Sequence, residues 1–160
     1  MLHITGEIWG GLTTLQTYGN YHFSAEVKFG EKKYPPREDL KRDSGFLYHC
    51  TGPHGRFWNI WKRCVEFQVQ ETDIGDLIML AGTSGLVRTT KIEIYAVGNQ
   101  AIHLVNGHVV LAITDIRVDE APLTEGQLQI QCESAEVNYR DMKIRPITTF
   151  PENLAKSAQL

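Results

Sequence analysis

The sequence predicts an all-β protein in which two antiparallel sheets pack face to face as a sandwich. Three observations predict it. Apolar and polar side chains alternate with a period of two, most clearly at residues 21–29 and 65–70, as strands with one buried face do. About ten to twelve such short runs are separated by Gly, Asn, Asp and Pro turn chemistry. No amphipathic helix of ordinary length precedes residue 151. There is no internal repeat, which argues against a propeller or a solenoid.

Taken in order, residues 2–9 read as a short strand broken by Gly10-Gly11, and residues 12–17 follow it, closed by Tyr18-Gly19. In residues 21–29 every odd position is apolar and every even one polar, so one face packs and the other meets solvent or ligand. Residues 30–42 hold Pro35-Pro36 and many charges, a long loop of the kind that often carries function. Strand 43–50 follows, then the turn 51–55. The stretch 58–76 contains Val65-Glu66-Phe67-Gln68-Val69-Gln70 and ends in an acidic loop before a strand at 77–81. Strands at 91–97, 101–105 and 109–113 come next, the last two joined by Asn106-Gly107, a type I′ hairpin signal. A connection over 115–125, an alternating strand over 126–133 and a strand over 137–147 complete the set. Residues 1–147 are expected to form a single sandwich domain, and residues 148–160 a polar C-terminal tail with a short helix.

At 160 residues the chain is long enough to bury a core as one domain. A net charge of −3 without a sizeable basic cluster gives no nucleic-acid footprint. No run approaches the roughly 18 apolar residues of a membrane span. Met1-Leu2-His3-Ile4-Thr5 has neither the basic nor the apolar region of a signal peptide. Cys50, Cys64 and Cys132 cannot all pair internally and show no Cys-x-x-Cys spacing. Cys132 reads as a small core residue, and Cys50 and Cys64 could meet across a strand pair.

Glu66, Gln68 and Gln70 point to one face of their strand, approached past Trp58, Trp61 and Lys62. A carboxylate and two amides there suit a hydroxyl-rich ligand, because an amide both donates and accepts; a solvated sheet face is the plainer alternative. Glu66 is the candidate base or ligand-orienting carboxylate, held rigidly on a strand, or else a surface Glu paired with Lys28 or Arg63. If Phe46 and Tyr48 point inward, Asp43, Leu47 and His49 share the outer face with Glu66. His49 is then a candidate general base, and Asp43, His49 and Glu66 could hold a divalent cation. Lys62 could stabilise an oxyanion. Trp61 could stack on a sugar ring, with Tyr48 and Asp43 completing the substrate contacts, although tryptophans in sandwiches are often core. Asp73 and Asp76 could offer oxygen ligands to calcium, and His103 leads a hairpin. The exposed alternation of Gln127, Gln129 and Gln131 suits solvent or a partner.

Five segments occur in an order that resembles a known family: Tyr18-Gly19-Asn20-Tyr21-His22-Phe23, Asp43-Ser44-Gly45-Phe46, Val65 through Gln70 with Gly75-Asp76, His103-Leu104-Val105-Asn106-Gly107, and residues 137–146. Over residues 4–147 the chain resembles the 3-keto-disaccharide hydrolase domain family. Asp43 stands where that family usually has Asn, and His49 where it often has Arg. The pattern's preceding strand and its Trp are not seen. The resemblance implies a concanavalin A-like jelly roll and an oligosaccharide or 3-keto-sugar partner. It also implies a periplasmic or extracellular location in glycan-degrading bacteria. The implied reaction is cleavage of a glycoside already oxidised at C3, where the keto group acidifies the C2 proton. Elimination and hydration need one base, an acid and an enolate donor, not the two carboxylates of ordinary glycosidases. Glu66 and Glu71 could not supply such a pair, since five strand residues separate them by roughly 16 Å. A non-catalytic carbohydrate-binding module is the alternative.

Overall fold

The computed structural model describes residues 1–74 and 89–160; the strand expected at 77–81, and Asp76, lie outside the described residues. Thirteen strands and one helix are described: β1 Leu2–Ile4, β2 Gly10–Thr13, β3 Tyr21–Lys33, β4 Asp43–Thr51, β5 Arg63–Gln70, β6 Asp73–Ile74, β7 Thr90–Val97, β8 Gln100–Val105, β9 His108–Ile113, β10 Arg117–Val118, β11 Ala121–Pro122, β12 Gln127–Cys132, β13 Ala135–Pro146 and α1 Glu152–Ala158. They form a six-stranded antiparallel sheet in the order β1-β13-β3-β7-β8-β9 and a five-stranded sheet in the order β2-β12-β4-β5-β6, with β10-β11 as a small hairpin. This is the two-sheet antiparallel sandwich the alternation predicts, and the jelly roll the resemblance implies.

The odd residues of β3, Tyr21 to Phe29, are all buried and fill the space between the sheets. Phe23 stacks on Phe46 of the opposite sheet at 3.9 Å, and Val69, Phe67, Leu128 and Ile130 join the same core. A period-two strand buries one face only, which turns Asp43 of β4, Glu66, Gln68 and Gln70 of β5 and the glutamines of β12 to the outside of the five-stranded sheet. No helix among the described residues is long and apolar enough to cross a membrane.

Several local expectations change. The strand expected over residues 2–9 stops at Ile4, and Trp9 instead packs on Trp61 with rings 6.0 Å apart. Gly10 and Gly11 do not break a strand but begin β2. Gly11 is needed there because the Gln129 side chain lies where a Cβ would stand. The tail packs back onto the body: Leu154 of α1 joins Tyr95, Ile102 and Leu104 on the outside of the six-stranded sheet.

Candidate functional site

The outward face of the five-stranded sheet is floored by β12, β4 and β5. Asp43 lies opposite Gln70 and bridges to Glu133, Gly45 lies opposite Gln68, and Leu47 lies between Glu66 and Gln129. Residues 52–62 fold over one end. There Phe57 and Trp61 exchange backbone hydrogen bonds, and Ile60 N–H donates to the Phe57 carbonyl at 3.0 Å. Trp58 and Asn59 between them both have positive φ, 48° and 61°, the geometry of a type I′ turn. Beneath this turn is a cleft of about 380 Å³ lined by Leu47, Trp61, Lys62, Glu66 and Gln131, with Arg56 and Arg63 at its edge.

The floor of this cleft depends on Gly45. A Cβ there would collide with Glu66 Oε1 and with Gln131 Oε1, so both side chains lean over the one position that lacks a side chain. Beside them Arg37, from the loop after β3, donates to Asp43 Oδ2 at 2.8 Å and to Glu133 Oε1 at 2.9 Å. Gln70 Nε2 donates to the same Asp43 oxygen at 2.7 Å, and Gln131 Nε2 to Glu133 Oε2 at 3.1 Å. Burial raises the Asp43 pKa, and the bonds from Gln70 and Arg37 work against the rise. Burial and the neighbouring Asp43 charge raise that of Glu133, with Arg37 opposing.

The expected site residues separate into two groups. Glu66, Lys62 and Trp61 line the cleft; Asp43, Gln68 and Gln70 lie further along the same sheet face. Lys62 Nζ donates to Gln127 Oε1. Gln68 accepts from the Val69 backbone N–H at 3.1 Å. Trp61 is only 1% exposed, with its indole N–H bonded to the Gly10 carbonyl, so it forms a wall. The exposed aromatics are Trp58, at 62%, and Phe57, whose rings stack 4.9 Å apart.

His49 and Tyr48 do not share that outer face. The register between β4 and β5 shifts after Tyr48, and His49 has φ 51°. This bulge breaks the alternation and turns the His49 ring into the core beside Tyr21, at 5.7 Å. Tyr48 also points inward, its hydroxyl 2.7 Å from His103 Nε2. Both are fully buried. Asp43, His49 and Glu66 therefore do not converge as a cation site, and no three His, Cys, Asp or Glu side chains do so among the described residues. Asp73 is held by Lys41 at 2.8 Å. Cys50 and Cys64 are free, and with Leu47 and Trp61 they belong to one apolar cluster.

Arg37, Gln131 and Glu133 were missed by the sequence reading. Gln129 and Gln131, expected on an exposed face, are buried: Gln129 lies across Gly11 and donates to Thr13 Oγ1 at 2.8 Å, and Gln131 is tied to Glu133. The length and charge of the loop after β3 were the available signal for Arg37.

The family model for the 3-keto-alpha-glucoside-1,2-lyase-like domain matches residues 1–145. The chain belongs to this family. Membership makes it a carbohydrate-active protein. Among solved structures, a candidate glycosyl hydrolase from Parabacteroides distasonis superposes with a TM-score of 0.65 at 15% identity, covering 91% of this chain and 80% of that one. The carbohydrate-binding module CBM66 from Bacillus subtilis gives 0.61 at 9% identity, over 89% of this chain and 94% of the module. A Bacillus subtilis protein with a galectin-like fold gives 0.60 at 11% identity, covering 92% and 83%. At these identities the structural likeness shows the shared fold. A search of curated protein sequences found no match.

Proposed function

We propose that this member of the lyase-like family binds a 3-keto-glycoside on the outward face of the five-stranded sheet and cleaves its glycosidic bond by elimination followed by hydration. The observation that carries the reading is the cleft beside Gly45, where Glu66 meets Gln131 and where Lys62 and Arg56 supply positive charge, Arg63 being paired with Asp119. Glu66 takes the C2 proton that the 3-keto group acidifies. The C1–O bond then breaks, a C1=C2 double bond forms, and the leaving oxygen takes up a proton. Water adds across the double bond to give the free 3-keto-sugar. Negative charge gathers on the keto oxygen during proton removal, and Lys62 stands closest in chemistry to the donor that step needs. One carboxylate suffices for a keto-activated elimination, whereas an ordinary glycosidase needs two. Export to the periplasm or cell exterior belongs to the same reading.

The test is incubation with 3-keto-trehalose and a 3-keto-glucoside, following sugar release by chromatography, with and without a chelator. The wild type should release sugar and Glu66→Gln should lose about 100-fold or more, the usual weight of a positioned base. Undiminished turnover by Glu66→Gln would remove Glu66 from the role. The exposed, stacked Phe57 and Trp58 favour a second reading, a sugar-binding module. Binding to unoxidised sugars with no release from keto-sugars would select it.

A further inference from the structure

Gln129 and Gln131 are both buried with the amide oxygen unpartnered, and Gln131 is the one that lines the cleft beside Glu66. Its amide hydrogens face Glu133, whose other oxygen is held by Arg37. A carboxylate so engaged accepts and does not donate, which fixes the amide with its nitrogen toward Glu133. The amide oxygen is left facing the other way. Gln131 is 5% exposed, and this oxygen is buried without a hydrogen-bond partner among the described residues. Leaving a buried acceptor unpartnered forfeits its hydration, and such groups call for an explanation at the site where they occur.

The oxygen aims into the space above Gly45, into which Glu66 Oε1 also leans. These two oxygens fill the position that a side chain at residue 45 would take, and both residues line the cleft. A ligand group placed there must donate hydrogen bonds. A keto oxygen cannot, whereas a sugar hydroxyl can.

We propose that Gln131 is a substrate-positioning residue whose amide oxygen accepts the C2 hydroxyl of the bound keto-sugar. This sets the C2–H against Glu66 and leaves the 3-keto oxygen to the Lys62 side of the cleft. The proposal deepens the function proposed above and rests on it. Arg37 and Glu133 act through Gln131, as the anchor that orients its amide. Gly45 provides the room in which the Glu66 and Gln131 oxygens lie.

The experiment compares a 3-keto-glucoside with its 2-deoxy analogue, by kcat/KM for turnover and by calorimetric Kd for binding. The wild type should prefer the 2-hydroxy compound at least about tenfold, the scale of one hydrogen bond to a buried group. Gln131→Met, close in size but lacking the acceptor, should bring the two compounds within about twofold. Gly45→Ala keeps Gln131 but pushes its oxygen off the position over residue 45, and should erase the same preference, so the test survives if one variant folds poorly. If the wild type shows the preference and both folded variants keep it, Gln131 is not the reader. Equal handling of the two compounds by the wild type also overturns the proposal. No binding or turnover of either compound by the wild type overturns the sugar-site reading itself, and this inference with it.

Discussion

His49 and His103 bring two imidazoles into the interior, and burial lowers their pKa values to about 4 and about 3. In the unfolded chain the same rings take up protons near the ordinary value of about 6.5. Between those limits the unfolded state binds more protons than the folded one. The stabilisation is therefore complete above about pH 6.5 and is lost as pH falls toward 4. Thermal melts at a series of pH values should show a falling midpoint over this window, and His49→Asn should flatten the fall, since Asn tolerates the positive φ at residue 49. The identity of His49 was plain in the sequence; its direction was not. The alternation of β4 held from Asp43 to Tyr48, and the bulge that inverted the next residue left no composition signal. Gln131 failed for a related reason. Its face was read correctly, but its burial comes from β2 and the Arg37 loop, which are remote in sequence.

At the scale of elements, the site is made by three adjacent strands and two loops. The loop after β3 sends one guanidinium between two carboxylates whose side chains are 8% and 6% exposed. Arg37→Met would leave both buried carboxylates without a cation, which should cost about 3–5 kcal/mol at neutral pH. Part of that loss should return as acid protonates Asp43 and Glu133; denaturant midpoints at two pH values measure it. The turn over residues 57–61 separates its two tryptophans by role. Trp58→Ala should alter stability by less than about 0.5 kcal/mol while weakening sugar affinity by about tenfold, the worth of one aromatic contact at its upper end. Trp61→Ala should cost about 3–5 kcal/mol, the usual cost of emptying a buried tryptophan site, read by chemical denaturation. Sequence alone could not divide these roles, because Trp58 and Trp61 differ by which side of a tight turn each one occupies.

For the whole molecule, the period-two pattern was enough to predict the sandwich, since one buried face per strand leaves few alternatives. The sheet orders were not legible, because strand partners are chosen by long-range fit. The tail shows the same limit. Read as polar, it still docks Leu154 against Tyr95, Ile102 and Leu104. Leu154→Ala should cost about 2 kcal/mol, and a chain ending at residue 147 should keep its strand signal by circular dichroism while self-associating in sedimentation, because that apolar surface is then bare. The pairing of β3 with β13, which sets Tyr21 opposite Pro146, has a consequence for synthesis. At the pace of translation β3 emerges on the order of ten seconds before its partner exists. During that wait one side of the longest strand offers open hydrogen-bonding groups to any neighbouring chain. Yield in a cell is then governed by how well the nascent chain is guarded over that interval, and a stabilising substitution in the finished core would do little to shorten it.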